Sequence, residues 1–260
     1  LGEYKEERFA SLLDRFDGIQ GDGSTFAYWR QIIGVMAATI LCSFDSTNEE
    51  LKQRYLTLSE SLNHSFQDFI ESEYDKLFSL SGVKSPATVT RVLEHIRFHK
   101  APRKALLVLD GVNYWQWIMI SDALKASGIE CRSDVTTAFI PSITAWSRQA
   151  IFKGALPDLD ADNTREEKLF RGYWAEHGMH DFEVGFEKLS FGNSNDELSI
   201  PGTVNILGLV SNDLDELMHS AIMGNDQLYN QTAYWLEKSD FTKQVRDLKR
   251  MGFAVFITTD

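Results

Sequence analysis

The strongest constraint on this chain is a set of short apolar runs that suit buried strands. Five consecutive apolar residues, Ala105 to Leu109, are followed at once by Asp110 and Gly111. An uninterrupted apolar run of that length reads as a strand covered on both faces. Four more segments read as strands: 134–140 (DVTTAFI), 181–190 (DFEVGFEKLS), 203–210 (TVNILGLV) and 253–260 (FAVFITTD). The third of these is the most apolar and is expected at the centre. Helical patterns lie between them, over 114–126, after the turn at 141 up to Gly154, over 164–177 and within 225–252. Strands alternating with helices imply an α/β fold, a mainly parallel sheet with helices on both faces.

Residues 1–103 read differently. Apolar residues recur at three- and four-residue steps over 25–44 and 48–80. A third helix is expected over 85–100, with Ser85 as N-cap and Pro86 in the first position. The expected organisation is therefore a helical N-terminal region, 1–103, before an α/β domain, 104–260. The longest apolar stretch, Ile32 to Phe44, is short for a bilayer and fits a core helix better. The N-terminus is charged and shows no signal peptide. Two widely spaced cysteines, Cys42 and Cys131, fit two free thiols in a reducing cytoplasm, with no membrane partner. A net charge of −12 argues against a basic nucleic-acid-binding face, although a metal site gathers carboxylates and is neutralised by its ions. A chain that starts on Leu and stops after an apolar strand is expected to be part of a longer protein.

Open α/β sheets keep their sites at the carboxyl ends of the strands. Here those ends carry Asp110, the Pro-Ser-Ile-Thr turn 141–144, the segment 211–219 (SNDLDELMH) and Asp260. Each alone is ordinary turn or cap chemistry; together they suggest a site. Asp215 and His219, spaced i, i+4, share one helix face and suit a cation. Glu60/His64, His95/His99 and Glu176/His180 have the same spacing, but in or beside amphipathic helices away from the strand ends. Ser142 and Thr144 are candidate nucleophiles or, equally, helix caps. Arg148 faces a phosphate or is a surface charge. The loop after the first strand, DGVNYW, is not a Gly-rich phosphate loop, which counts against nucleotide binding.

With these residues assembled, 104–260 resembles the PglZ domain of the alkaline phosphatase superfamily. LLVLDGV is similar to that family's opening strand and metal-binding Asp. AFIPSITAWSRQAIFKGALP resembles its nucleophile segment, EEKLFRGYWAEHGM is PglZ-like, and NDLDELMHSA resembles its Asp-x-x-x-His metal segment. The resemblance implies a phosphomonoesterase or phosphodiesterase with two divalent metal ions, zinc or manganese. Thr144 would be the nucleophile and a metal ligand. Asp110 and Asp260 would share its metal, Asp215 and His219 would hold the second, and Ser147 and Arg148 would bind substrate. The implied substrate is a phosphoester, nucleic acid or nucleotide among the candidates, and the implied partners are other proteins of bacterial phage defence of the phage growth limitation and BREX types. In that superfamily the last Asp is followed by His, with another His downstream. This chain ends at Asp260, so it is expected to hold an incomplete metal site and little activity by itself. The alternative is a non-catalytic phosphatase-like scaffold within a defence complex.

Overall fold

The computed structural model describes residues 2–160, 165–192, 198–220 and 224–260. The chain divides into two units: Leu1–Leu80 with Tyr114–Met119 and Ser133–Val135, and Ser81–Asn113 with Ile120–Arg132 and Thr136–Asp260. The division falls at Leu80, so residues 81–103 belong to the unit that holds the sheet.

The first unit is built on α1 (Gly2–Arg15), α2 (Phe26–Asp45) and α3 (Glu49–Leu77). The two longer helices begin where the chain offers caps. Thr25 accepts from the Tyr28 N–H, and Asn48 accepts from the Glu50 and Leu51 N–H groups, satisfying donors that an α-helix leaves open. Trp29 is buried against Phe66 and Phe69, with ring centroids 4.9 and 6.0 Å away. Helix α1 was not expected, because its charge masks its period. Phe9, Leu12, Leu13 and Phe16 nonetheless fall at i, i+3, i+4 and i+7 and are buried. Among the described residues, α2 is the one helix long and apolar enough by composition to cross a membrane. It buries Phe26, Trp29, Ile32, Val35, Ala37 and Thr39 within the protein.

The second unit holds the sheet. Its strands are β1 (Arg103–Leu109), β2 (Val184–Leu189), β3 (Ile206–Ser211) and β4 (Phe253–Thr258), all parallel, in the order β2-β3-β1-β4. The helices are α4 (Val92–Phe98), the part of α5 (Tyr114–Ala126) from Ile120 on, α6 (Thr144–Lys153), α7 (Glu166–Glu176), α8 (Asp213–Ser220), α9 (Asn225–Lys238) and α10 (Phe241–Arg250). Thr164, expected to start α7, lies outside the described residues. One sheet face carries Leu106, Val108, Ile206 and Val210 and packs against residues of α4, α6 and α7, including Leu93, Ile151, Phe152, Phe170 and Trp174. The alternate residues Ala105, Leu107, Leu109, Leu207 and Leu209 are buried too, so both faces are covered. Helix α10 packs on β4, and its Arg246 donates to the carbonyl of Ser127, just past α5.

Two expectations fail here. Segment 134–140 is not a strand. Both edges of β1 are taken by β3 and β4, and 134–140 pairs instead with 86–89 through one parallel bridge, Thr88 to Thr137. The Thr137 N–H donates to Ala87 O, and the Val89 N–H to Thr137 O, at 2.9 and 3.0 Å. That bridge also explains the second failure. Thr88 is extended (φ −130°, ψ 156°), and a single 3₁₀ turn, Val89–Arg91, precedes α4. Ser85 and Pro86 therefore do not start a helix.

Gly208 of β3 lies where two aromatic rings press on the sheet. A Cβ there would come within 2.8 Å of the Phe186 ring and 2.9 Å of the Phe170 ring. We expect Gly208→Ala to destabilise the protein by about 1–3 kcal/mol through overpacking. Gly34→Ala, in the interior of α2 with nothing within 4 Å of the new methyl, should stabilise by about 0.5–1 kcal/mol. Urea melts of the two variants check the opposite signs.

Candidate functional site

Asp110 follows directly on β1 and is 2% exposed. Its main chain extends the ladder, with the N–H donating to Ser211 O at 2.9 Å. A carboxylate at the edge of a core needs a counter-charge. Helix α6 supplies it. The Nη1 of Arg148, a residue 4% exposed, donates to Asp110 Oδ2 at 2.8 Å and to Asn212 Oδ1 at 3.1 Å. Its Nε lies 2.5 Å from Glu166 Oε1 in the first turn of α7. That pair is a charge contact without hydrogen-bond alignment. Lys188 Nζ, exposed on β2, is 3.7 Å from Glu166 Oε2.

The loop after β1 brings in the end of β4. Gly111 takes φ +67°, and its N–H donates to Asp260 Oδ1 at 2.9 Å; the Val112 N–H donates to Thr259 Oγ1 at 3.0 Å. Backbone donors that would cradle a phosphate in a nucleotide-binding loop are thus engaged within the chain. Gly111 also lets α8 approach. A Cβ there would meet Asp215 Oδ1 at 3.0 Å and Met218 Cε at 3.2 Å. Asp215 Oδ1 lies 3.4 Å from His219 Nε2. Two oxygens in this cluster are buried where no N–H or hydroxyl reaches them: Asp110 Oδ1 and Asp260 Oδ2. Burial first, then a hydrogen bond between the Asp110 and Asp260 carboxyls and the charge of Asp260, raises the Asp110 pKa to about 7, against the opposing pull of Arg148.

Asp110, Asp215 and Asp260 therefore gather around Gly111, and His219 attaches through Asp215. His219 points outward, with its side chain 76% exposed. Among the described residues, no three His, Cys, Asp or Glu side chains are grouped closely enough to hold an ion. Thr144 is the first residue of α6, half-buried, and one turn before Arg148 on the same helix face. The capping reading of the hydroxyls fails. The N-cap is Ile143, no side chain caps α6, and Ser142 is exposed. Ser147, expected to face substrate, is fully buried and donates to Phe139 O at 3.4 Å. Arg148 is likewise internal and is neither a surface charge nor open to substrate.

The sequence reading missed Glu166, Asn212 and the role of Gly111. Nothing in EEKLF marks a buried acid, whereas Asp-Gly after an apolar strand did mark a turn. Two of the other i, i+4 pairs are locally satisfied. His64 Nδ1 is 2.8 Å from Glu60 O, and His95 and His99 pack on the Phe256 ring. Asp213, beside the site, instead accepts from the Phe191 N–H and Trp235 Nε1 and ties α8 to α9. Cys42 and Cys131 are free thiols.

No family model matches this chain, and no curated protein matches it. The site must be read from its own chemistry.

A carboxyl group raised from 3.8 to about 7 is protonated in the folded chain and ionised in the unfolded chain between those values. The folded state binds the extra proton, so stability falls as pH rises through that window. Asp110→Asn, which stays neutral, should gain on the wild type by on the order of a few kcal/mol between pH 5 and pH 8. Denaturant melts at the two pH values, without added metal, check the sign. A gap that does not change with pH would contradict it.

Proposed function

We propose that this chain is a metal-dependent phosphohydrolase domain of the PglZ type, acting on a phosphomonoester or phosphodiester in bacterial phage defence. The observation that supports this best is the pair of buried carboxylate oxygens, Asp110 Oδ1 and Asp260 Oδ2, which no N–H or hydroxyl reaches and whose carboxyls lie close enough to share a proton, at the carboxyl edge of a parallel sheet. Buried anionic oxygens without donors cost free energy unless a proton or a cation joins them. Hard carboxylate oxygens suit a divalent ion. Asp110 and Asp260 would hold one ion, and Asp215 with His219 would contribute to a second. When bound, zinc or manganese would neutralise charge developing on the phosphoryl oxygens and favour the ionised form of a nearby hydroxyl.

The protein's own groups then have separable tasks. Thr144 offers a hydroxyl at the start of a helix that no side chain caps, where the helix dipole favours an anionic substrate. Its Oγ1 would attack phosphorus as the ester P–O bond breaks and the leaving oxygen departs. Water would later cleave the Thr144–phosphate bond. Gly111 holds Asp260 by its N–H and leaves room for Asp215. Arg148 and Asn212 hold Asp110.

A second reading, a phosphatase-like scaffold without catalysis, is favoured by one observation. Arg148 already supplies Asp110 with a cation, and His219 lies in solvent.

Thr144→Ala distinguishes the two. With Mn²⁺ or Zn²⁺ and an aryl phosphate or diester, turnover should fall by roughly a thousand-fold or more. Ser142→Ala should cost little. Because neither hydroxyl caps α6, both melts should stay within about 0.5 kcal/mol of wild type. A steady-state rate and a melt on each purified variant suffice. A Thr144→Ala protein that keeps the wild-type rate overturns the nucleophile assignment and supports the scaffold.

A further inference from the structure

Resting on the metal reading above, we infer that Arg148 is a resident counter-cation that competes with the metal for Asp110, and that Glu166 sets how strongly it competes. The guanidinium reaches Asp110 by one oxygen only. Nη1 bonds Oδ2 at 2.8 Å, while no N–H or hydroxyl reaches the buried Oδ1. A cation binding Oδ1 together with Asp260 Oδ2 would share one carboxylate with a fixed positive charge. Two cations on a single buried carboxylate repel, and its burial leaves that repulsion weakly screened.

Glu166 relieves it. Its Oε1 lies 2.5 Å from Arg148 Nε, and both side chains are at most 5% exposed. The arginine charge is thus divided between an acid at the site and an acid behind it. Asn212, the third partner, is neutral and fixes the position of Nη1 at 3.1 Å without changing the charge. Lys188, at 3.7 Å from the other Glu166 oxygen, is exposed and screened. Arg148 and Glu166 are therefore positioning residues that act through Asp110. They make the carboxylate cluster tolerable and set the threshold at which a divalent ion enters.

The two residues should move metal affinity in opposite directions. Glu166→Gln keeps the shape and leaves the whole guanidinium charge to Asp110, so Mn²⁺ affinity should fall about ten-fold or more. Arg148→Gln removes the competitor, so affinity should rise by a similar factor. The single arginine variant leaves Glu166 buried beside no fixed cation and can fold poorly. The double variant Arg148→Gln/Glu166→Gln removes both charges together and should bind within about three-fold of wild type. Mn²⁺ titration by calorimetry or by the paramagnetic signal of free ion, on protein shown folded by circular dichroism, gives all four constants. The order Arg148→Gln, then wild type and the double variant, then Glu166→Gln supports the inference; if the arginine single variant does not fold, the other three decide. A wild type that binds while Glu166→Gln binds equally well overturns it and leaves the metal reading standing. A wild type that binds no Mn²⁺ overturns both.

Discussion

Everything at the carboxyl edge of the sheet depends on one buried contact, the Arg148 guanidinium against the Asp110 carboxylate at 2.8 Å. A strand as apolar as Ala105–Leu109 cannot end in a buried acid without an answering charge. The answer comes from α6, and it fixes more than Asp110. The same guanidinium binds the residue after β3 and meets the first turn of α7. Three other elements, the ends of β1 and β3 and the start of α7, meet one planar group with donors in fixed directions, a geometry that lysine does not reproduce. The contact is an unpromising source of net stability, since desolvating the ions offsets most of their attraction. Its effect is on position. It holds α6 against the end of β1.

The fold was legible where one interaction decided the outcome locally. Continuous apolar runs marked β1 and β3, and a left-handed Gly154 at φ +65° closed α6 where expected. Helix α5 falls on Tyr114–Ala126 as its period indicates. Segment 134–140 was misread because strand propensity says nothing about vacancies. A β-prone segment becomes a strand only if a neighbour has a free edge, and β1 had none. Its threonines found backbone partners in 86–89 instead, which also cancelled the helix start at Ser85. Both errors have one cause, a pairing between segments about fifty residues apart that no local pattern announces.

The site was legible in part for a similar reason. Asp110, Asp215 and Asp260 stand out because acids at the ends of buried strands are conspicuous. Arg148 and Ser147 were placed on the correct helix but with the wrong surroundings. Sequence spacing gives the face of a helix, not whether that face meets water or another acid. Glu166 was invisible, since a Glu in the first turn of a helix is ordinary dipole chemistry. Only burial to 3% exposure separates it from the exposed Glu167 beside it.

Gly111 and Asp260 meet across 149 positions of chain, and that distance has a kinetic meaning. Strand β1 gains β3 on one side by residue 211, but its other edge stays open until Phe253–Thr258 has been made and has docked. Such long-range pairing is slow because chain closure must come before any contact rewards it. Until then the most apolar strand edge in the protein is unprotected and can pair with another chain. The acids are spared one another for the same interval. Asp260 arrives beside Asp110 only with β4, so the repulsion between them enters after β1 and β3 have been made and can hold it.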